Sequence, residues 1–222
     1  RENGELKKSS WAKAFKIISN KLKLYKSNEI GGLVGDLADL EMIYSFKKFF
    51  NKCIGSTNLE SRHDRIFINP KERINYIFNS SINGIEESDL ILLVGTNPRL
   101  EATILNARIR KSYQKNAVDI FSIGDPGDLT YPYKFLGSNT SIIKEITEGS
   151  HKISEKIKNC KKPIIIIGES ALYGQTGEYI FESIKSFLFK NNFIRKDWNA
   201  LNILSQQASK VGATDLGIYS IN

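Results

Sequence analysis

Gly95-Thr96-Asn97-Pro98-Arg99 directly follows the apolar run Leu90-Ile91-Leu92-Leu93-Val94. Proline suits the first turn of a helix, where its missing N–H would be unpaired anyway. The free amides behind it can hold an anion such as a phosphate, and Arg99 adds positive charge. The carboxyl end of a parallel strand is also where open α/β sheets take their ligands. The same five residues serve equally well as a turn that only starts a helix, and from residue types alone both readings stand.

Other candidates fall short of chemistry. Gly31, Gly32 and Gly35 are spaced GGxxG, not GxGxxG, and no acidic residue closes the next strand to hold a ribose, so they read as a tight turn with close strand–helix packing. Gly168-Glu169-Ser170-Ala171-Leu172 places a serine where a nucleophile elbow has one, but Leu172 stands where the second glycine is needed. His63, in a stretch expected to be loop, and His151, at an expected helix start, lack partners spaced for catalysis and read as surface residues. Cys53 and Cys160 stand far apart with no CxxC. Two cysteines and two histidines at these spacings build neither an iron–sulfur nor a structural zinc site. The residues therefore give no catalytic set and no metal site. Arg108, Arg110 and Lys111 form the one arginine-rich cluster, a candidate contact with an acidic neighbouring subunit because guanidinium pairs bidentately with carboxylate.

Positioning the Gly95–Arg99 turn requires a strand before it and a helix after it, and the chain offers that step repeatedly. Trp11, Phe15, Ile18, Leu22 and Tyr25 recur at offsets of four and three behind Ser10 as N-cap, predicting an amphipathic helix over 10–25. Residues 29–35 read as a short strand and turn, after which Asp36 is expected to cap a helix carrying Leu37, Leu40, Ile43, Tyr44 and Phe50. A surface loop is expected over 51–70, and Ile74, Tyr76 and Phe78 alternate as a short strand does. The run 89–95 predicts a strand covered on both faces, followed by a helix with Ala102, Leu105, Ile109 and Tyr113 on its stripe. Further strands are expected at 118–123, closed by the turn Gly124-Asp125-Pro126-Gly127, and at 163–168, followed by a helix carrying Ile180, Ile184 and Leu188. A last helix is expected from Asp197 through Trp198, Leu201, Ser205 and Ala208. This alternation predicts an α/β fold, a Rossmann-like, mostly parallel sheet with flanking helices, as one domain over 1–222.

Composition sets the outer bounds. Hydrophobic residues make up 41% and charged residues 25% of 222, ordinary for a globular chain. The longest apolar run, Ile164-Ile165-Ile166-Ile167, is strand-sized, far below the roughly 20 residues of a membrane span. The net charge is +8, with lysine pairs at 7–8, 47–48 and 161–162 and acids between them. Charge distributed in this way argues against a nucleic-acid or anionic-lipid surface. The chain starts at Arg1 without a Met and without a secretory apolar stretch, which reads as a trimmed or partial chain.

A resemblance rests on phrases in order: Gly31-Gly32-Leu33-Val34 before Asp36-Leu37-Ala38-Asp39-Leu40-Glu41; Arg73-Ile74-Asn75-Tyr76; Gly84-Ile85-Glu86-Glu87-Ser88-Asp89; Leu93-Val94-Gly95-Thr96-Asn97-Pro98-Arg99-Leu100-Glu101-Ala102; Asn106-Ala107-Arg108-Ile109-Arg110-Lys111; Asp128-Leu129-Thr130-Tyr131; Gly149-Ser150-His151; Lys162-Pro163; and Asp215-Leu216-Gly217. From Trp11 onward the chain resembles the molybdopterin-oxidoreductase-like domain of the largest iron–sulfur subunit of mitochondrial respiratory complex I, NADH:ubiquinone oxidoreductase. The resemblance implies a non-catalytic scaffold, with Gly95, Thr96, Asn97 and Arg99 lining a vestigial pocket and no cofactor in this chain. Members of the family begin with a ferredoxin-like part whose cysteines hold iron–sulfur clusters. No such residues exist here, so the clusters are expected on a partner chain, and this one is expected to be a split or shortened subunit. The implied partners are other subunits of the peripheral arm, on the matrix side of the mitochondrial inner membrane, with membrane association only through the complex. The alternative is a working nucleotide- or molybdopterin-binding domain of an oxidoreductase.

Overall fold

Leu90-Ile91-Leu92-Leu93-Val94 is buried at every position, and a strand whose alternate side chains are all buried needs helices on both faces of its sheet. The computed structural model, which describes residues 1, 3–35, 37–61 and 66–219, builds such a sheet. Its contacts divide the chain into two compact units, 1–62 with 212–222 and 63–211.

The smaller unit begins with α1 (Trp11–Leu22), capped by the Ser10 side chain as anticipated. Strand β1 (Gly32–Leu33) follows, then α2 (Leu40–Phe49). The α2 cap is Asp39, whose carboxylate accepts from the Met42 N–H at 2.7 Å. Asp36, expected in that role, lies outside the described residues, and Leu37 precedes the helix and is exposed. The stretch expected as loop continues α2 as a wider turn over Phe50–Ile54. It then forms β2 (Leu59–Glu60), which pairs in parallel with β1. Gly32 works by packing, since a Cβ there would lie within 2.8 Å of Phe46, Phe50 and Leu59.

The larger unit holds β3 (Leu90–Val94), α3 (Pro98–Glu101), α4 (Thr103–Asn116), β4 (Asp119–Ile123), β5 (Lys134–Gly137), α5 (Ser141–Glu148) and α6 (Lys152–Lys158). After these come β6 (Pro163–Gly168), α7 (Glu169–Leu172), α8 (Gly177–Lys190) and β7 (Leu201–Leu204). The last helix, α9 (Lys210–Asp215), ends in the smaller unit. Among the described residues, the five strands of the larger unit run parallel in the order β5-β4-β3-β6-β7. The chain winds outward from β3 through β4 to β5, returns to β6 beside β3, and winds outward again to β7. The winding direction therefore reverses between β3 and β6. No helix among the described residues is long and apolar enough to cross a membrane.

The helix expected from Asp197 is replaced by β7. The helical spacing of Trp198, Leu201, Ser205 and Ala208 competes with four consecutive buried residues, Leu201-Asn202-Ile203-Leu204, and burial on both faces selects the strand. The anticipated strand at Ile74, Tyr76 and Phe78 is instead a 3₁₀ turn, Arg73–Asn75, and a segment shielding the outer edge of β7. Ile203 N–H donates to the Ile77 carbonyl at 3.1 Å, and Ser80 N–H to the buried Asn202 side chain at 2.8 Å. His151 caps α6, its ring nitrogen accepting from the Ile153 N–H, while His63 lies outside the described residues.

Asp119, opening β4, accepts from Lys156 and from Lys134 at 3.2 Å. The hydrogen bond from Lys156 above all, then that from Lys134, holds its carboxyl below the ordinary range against partial burial. A folded-state pKa below the unfolded value gives stability that is present above about 3.9 and is lost as pH falls through the folded value. Asp119→Asn should therefore leave a shallower loss of stability between pH 5 and 2 than the unaltered chain shows. Urea midpoints across that window check it, and identical acid limbs would rule the contribution out.

Candidate functional site

The reversal between β3 and β6 is where a doubly wound sheet opens a crevice outside its carboxyl ends, and here Gly95-Thr96-Asn97-Pro98-Arg99 stands at the end of β3. Gly95 takes a positive φ of 55°, a conformation glycine reaches without strain. Asn97 caps α3, its side-chain oxygen accepting from the Leu100 N–H at 3.2 Å.

The Thr96 hydroxyl, the Asn97 amide groups and the Arg99 guanidinium each have a partner in the chain. The Thr96 hydroxyl donates to one oxygen of Glu101 at 2.6 Å, and the Asn97 N–H donates to the other at 3.0 Å. Glu101 thus supplies the negative charge that a phosphate would bring to this helix start. The Asn97 side-chain NH₂ donates to the Pro126 carbonyl at 2.7 Å, and Arg99 pairs with the Asp128 carboxylate at 2.5 Å and its carbonyl at 3.0 Å. One turn on, buried Asn106 donates to the Leu129 carbonyl at 3.0 Å and accepts from the Tyr131 hydroxyl at 2.8 Å. Burial pushes the Tyr131 phenol above its ordinary pKa, so it remains a donor. The Asn97, Arg99, Asn106, Asp128 and Tyr131 side chains therefore tie the start of α3 and α4 to the loop after β4.

The opposite wall of the crevice is the chain itself. β6 ends in Gly168, where a Cβ would lie 2.3 Å from the Gly95 carbonyl oxygen and 2.6 Å from Thr96 Cβ. The Ser170 hydroxyl donates to the same Gly95 carbonyl, which gives the serine of the elbow-like motif a packing role. A Cβ on Gly95 would meet Ala171 at 2.7 Å. Glu169 is buried in α7, where one carboxylate oxygen accepts from Lys210 Nζ and from the Gln206 N–H, each at 3.1 Å. A pterin or nucleotide phosphate at this turn would have to displace Glu101 and Asp128 and lift 168–171 away from Gly95, so the residues present do not fit that group.

Two residues of the arginine-rich cluster have structural partners. Arg108, at 2.5 Å, and Lys111, at 2.9 Å, both pair with Glu86, whose backbone carbonyl also accepts from the Asn116 side chain. The Lys111 and then the Arg108 hydrogen bonds hold the Glu86 carboxyl below its ordinary pKa. These two cations fasten α4 to the turn ahead of β3, while Arg110 is exposed. The Cys160 thiol is pushed up to about 12, first by burial and then by Asp89, which keeps it protonated near neutral pH. Among the described residues no group of three His, Cys, Asp or Glu is placed to hold a metal ion.

The family described as Molybdopterin oxidoreductase matches residues 1–222. The chain is 43% identical to an NADH-ubiquinone oxidoreductase 75 kDa subunit of Reclinomonas americana, over 99% of this chain and 34% of the relative. It is 36% identical to the NADH dehydrogenase [ubiquinone] iron-sulfur protein 1, mitochondrial, of Solanum tuberosum, over 97% of this chain and 29% of the relative. It is 37% identical to an NADH-quinone oxidoreductase subunit from Rickettsia bellii, over 98% of this chain and 32% of the relative. The chain spans about a third of the length of these curated relatives.

Proposed function

The chain belongs to the molybdopterin oxidoreductase family, and from that premise we propose that it is a non-catalytic structural part of respiratory complex I, on the matrix side of the mitochondrial inner membrane. In this reading it holds no pterin, nucleotide or metal. It presents a rigid α/β surface behind iron–sulfur clusters carried on a partner chain and keeps their separations fixed for electron flow from NADH toward ubiquinone. Its partners are the other peripheral-arm subunits, above all the chain with the ferredoxin-like iron–sulfur part. Its similarity to NADH-ubiquinone and NADH-quinone oxidoreductase subunits supports the assembly.

The observation that carries the structural role is the filled crevice. The position that a cofactor-binding relative would use is packed with Gly168 and Ser170 against Gly95, and its helix start is neutralised by Glu101. The test is native purification through a tag on this chain in mild detergent, with mass spectrometry of the co-purifying proteins and metal and pterin analysis of the eluate. The expected result is a large assembly with iron–sulfur subunits and neither molybdenum nor pterin. A free protein carrying pterin or nucleotide would overturn the proposal and make the Gly95–Arg99 turn a working site.

A further inference from the structure

The net charge is less evenly spread than the lysine pairs suggest. Residues 6–28 contain seven lysines, Lys7, Lys8, Lys13, Lys16, Lys21, Lys23 and Lys26, and no Asp or Glu, against +8 for the whole chain. The same segment forms α1, which buries none of its residues. Trp11 and Phe15 stack at 5.7 Å between ring centroids and are 79% and 62% exposed, with Ile18, one further turn along, 52% exposed. A helix with this apolar stripe does not stay uncovered in water. Beside it lies a groove of about 290 Å³ lined by four cations, Arg1, Lys7, Lys8 and Lys13, together with Ile17 and Ile18.

Two further features of the smaller unit show what kind of cover is missing. α2 buries Ile43 but leaves Leu40, Met42, Tyr44 and Phe49 exposed, so it is apolar on two sides, as a helix between two protein layers is. Among the described residues its parallel sheet consists of β1 and β2, and parallel sheets are otherwise found covered on both faces. A lipid surface would cover one side of one helix and complete neither feature.

We propose that α1 is the docking surface for an acidic, apolar-faced segment of a second polypeptide. Trp11, Phe15 and Ile18 seat its apolar side chains, and lysines of the segment other than Lys13 pair with its carboxylates. The proposal names the contact through which the assembly reading is realised and rests on that reading.

The test places a photo-crosslinking benzoylphenylalanine at Phe15 in the tagged full chain, with Phe189, exposed in the larger unit, as the control position. In parallel, Trp11→Glu, Phe15→Glu and Ile18→Glu are combined. The expected result is an adduct from position 15, absent from position 189, with an identified peptide of net negative charge from another polypeptide. Recovery of the triple variant in the assembly should fall about tenfold or more, while its own thermal melt is unchanged because none of the three side chains is buried. If the variant melts differently, the crosslink decides alone. An adduct with lipid, with another copy of this chain, within the chain or with a peptide lacking acidic excess would overturn the proposal. So would no adduct, or a triple variant retained in the assembly. Recovery of the unaltered chain by itself would defeat the assembly reading and this proposal with it, whereas an intact assembly that ignores the substitutions would defeat this proposal alone.

Discussion

Gly168→Ala is expected to destabilise the larger unit by about 2–3 kcal/mol or more, a fall of roughly 4–12 °C in Tm. Gly168 has φ −83° and ψ 165°, a backbone conformation open to any residue. In free space the substitution would therefore stabilise the fold by about 0.4–1 kcal/mol, because alanine has fewer unfolded states. The sign of the change reports the space. At Gly168 the new methyl meets the Gly95 carbonyl oxygen at 2.3 Å and Thr96 Cβ at 2.6 Å, and neither belongs to a flexible side chain that can swing aside. Strands β3 and β6 must then separate at their carboxyl ends, losing the ladder that pairs Val94 with Ile167. Gly127→Ala is the control. Its φ of 67° carries strain for alanine but nothing lies within 4 Å of a Cβ there, so about 1 kcal/mol of loss is expected. A neutral or stabilising Gly168→Ala, measured by calorimetry beside that control, would mean the crevice is open and would remove the main support for a structural role.

The sequence reveals the centre of the sheet and hides its edges, for a physical reason. β3 and β6 are buried on both faces and so appear as unbroken apolar runs, 90–94 and 163–167, each followed by glycine. β5 lies at the sheet edge with Lys134 and Phe135 exposed, and it has neither a continuous run nor a clean alternation to announce it. β7 is the other edge strand, but its outer side is covered by 77–80 through hydrogen bonds to Leu201, Asn202 and Ile203. No local pattern shows that long-range cover, and the helical spacing around it misleads. The Gly95–Arg99 turn was legible in position but not in state. That Thr96 and Asn97 answer to Glu101, and Arg99 to Asp128 some thirty residues on, depends on side-chain geometry that residue types alone leave open. Those partners do stand in the phrases that carry the family resemblance, so the resemblance marks a hydrogen-bonded lock as much as a pocket.

Lys210→Met is expected to give the other large effect, a loss of about 3–5 kcal/mol. Lys210 and Glu169 are 3.1 Å apart, with side chains only 5% and 8% exposed. Removing the ammonium leaves a carboxylate buried in α7 whose charge the Gln206 N–H alone does not balance, and desolvation of an unbalanced charge dominates such losses. A pair on the surface would give only about 0–1 kcal/mol, so the magnitude tests the burial directly. Glu169→Gln combined with Lys210→Met should recover most of the loss, since a neutral amide retains an acceptor for the Gln206 N–H and methionine keeps the lysine's volume. The double-mutant cycle from urea midpoints should then show coupling of roughly 2 kcal/mol or more between the two positions. Because α7 also supplies Ser170 and Ala171 to the crevice, the pair does more than stabilise a surface turn. It anchors the segment that lies across the end of β3, and Lys210→Met is expected to loosen that segment before the rest of the sheet. Hydrogen exchange at Ala171 and Leu172 rising ahead of exchange in β3 and β6 would show it. Equal protection across α7 and the central strands would mean that packing of Gly168 against Gly95 closes the crevice without the ion pair.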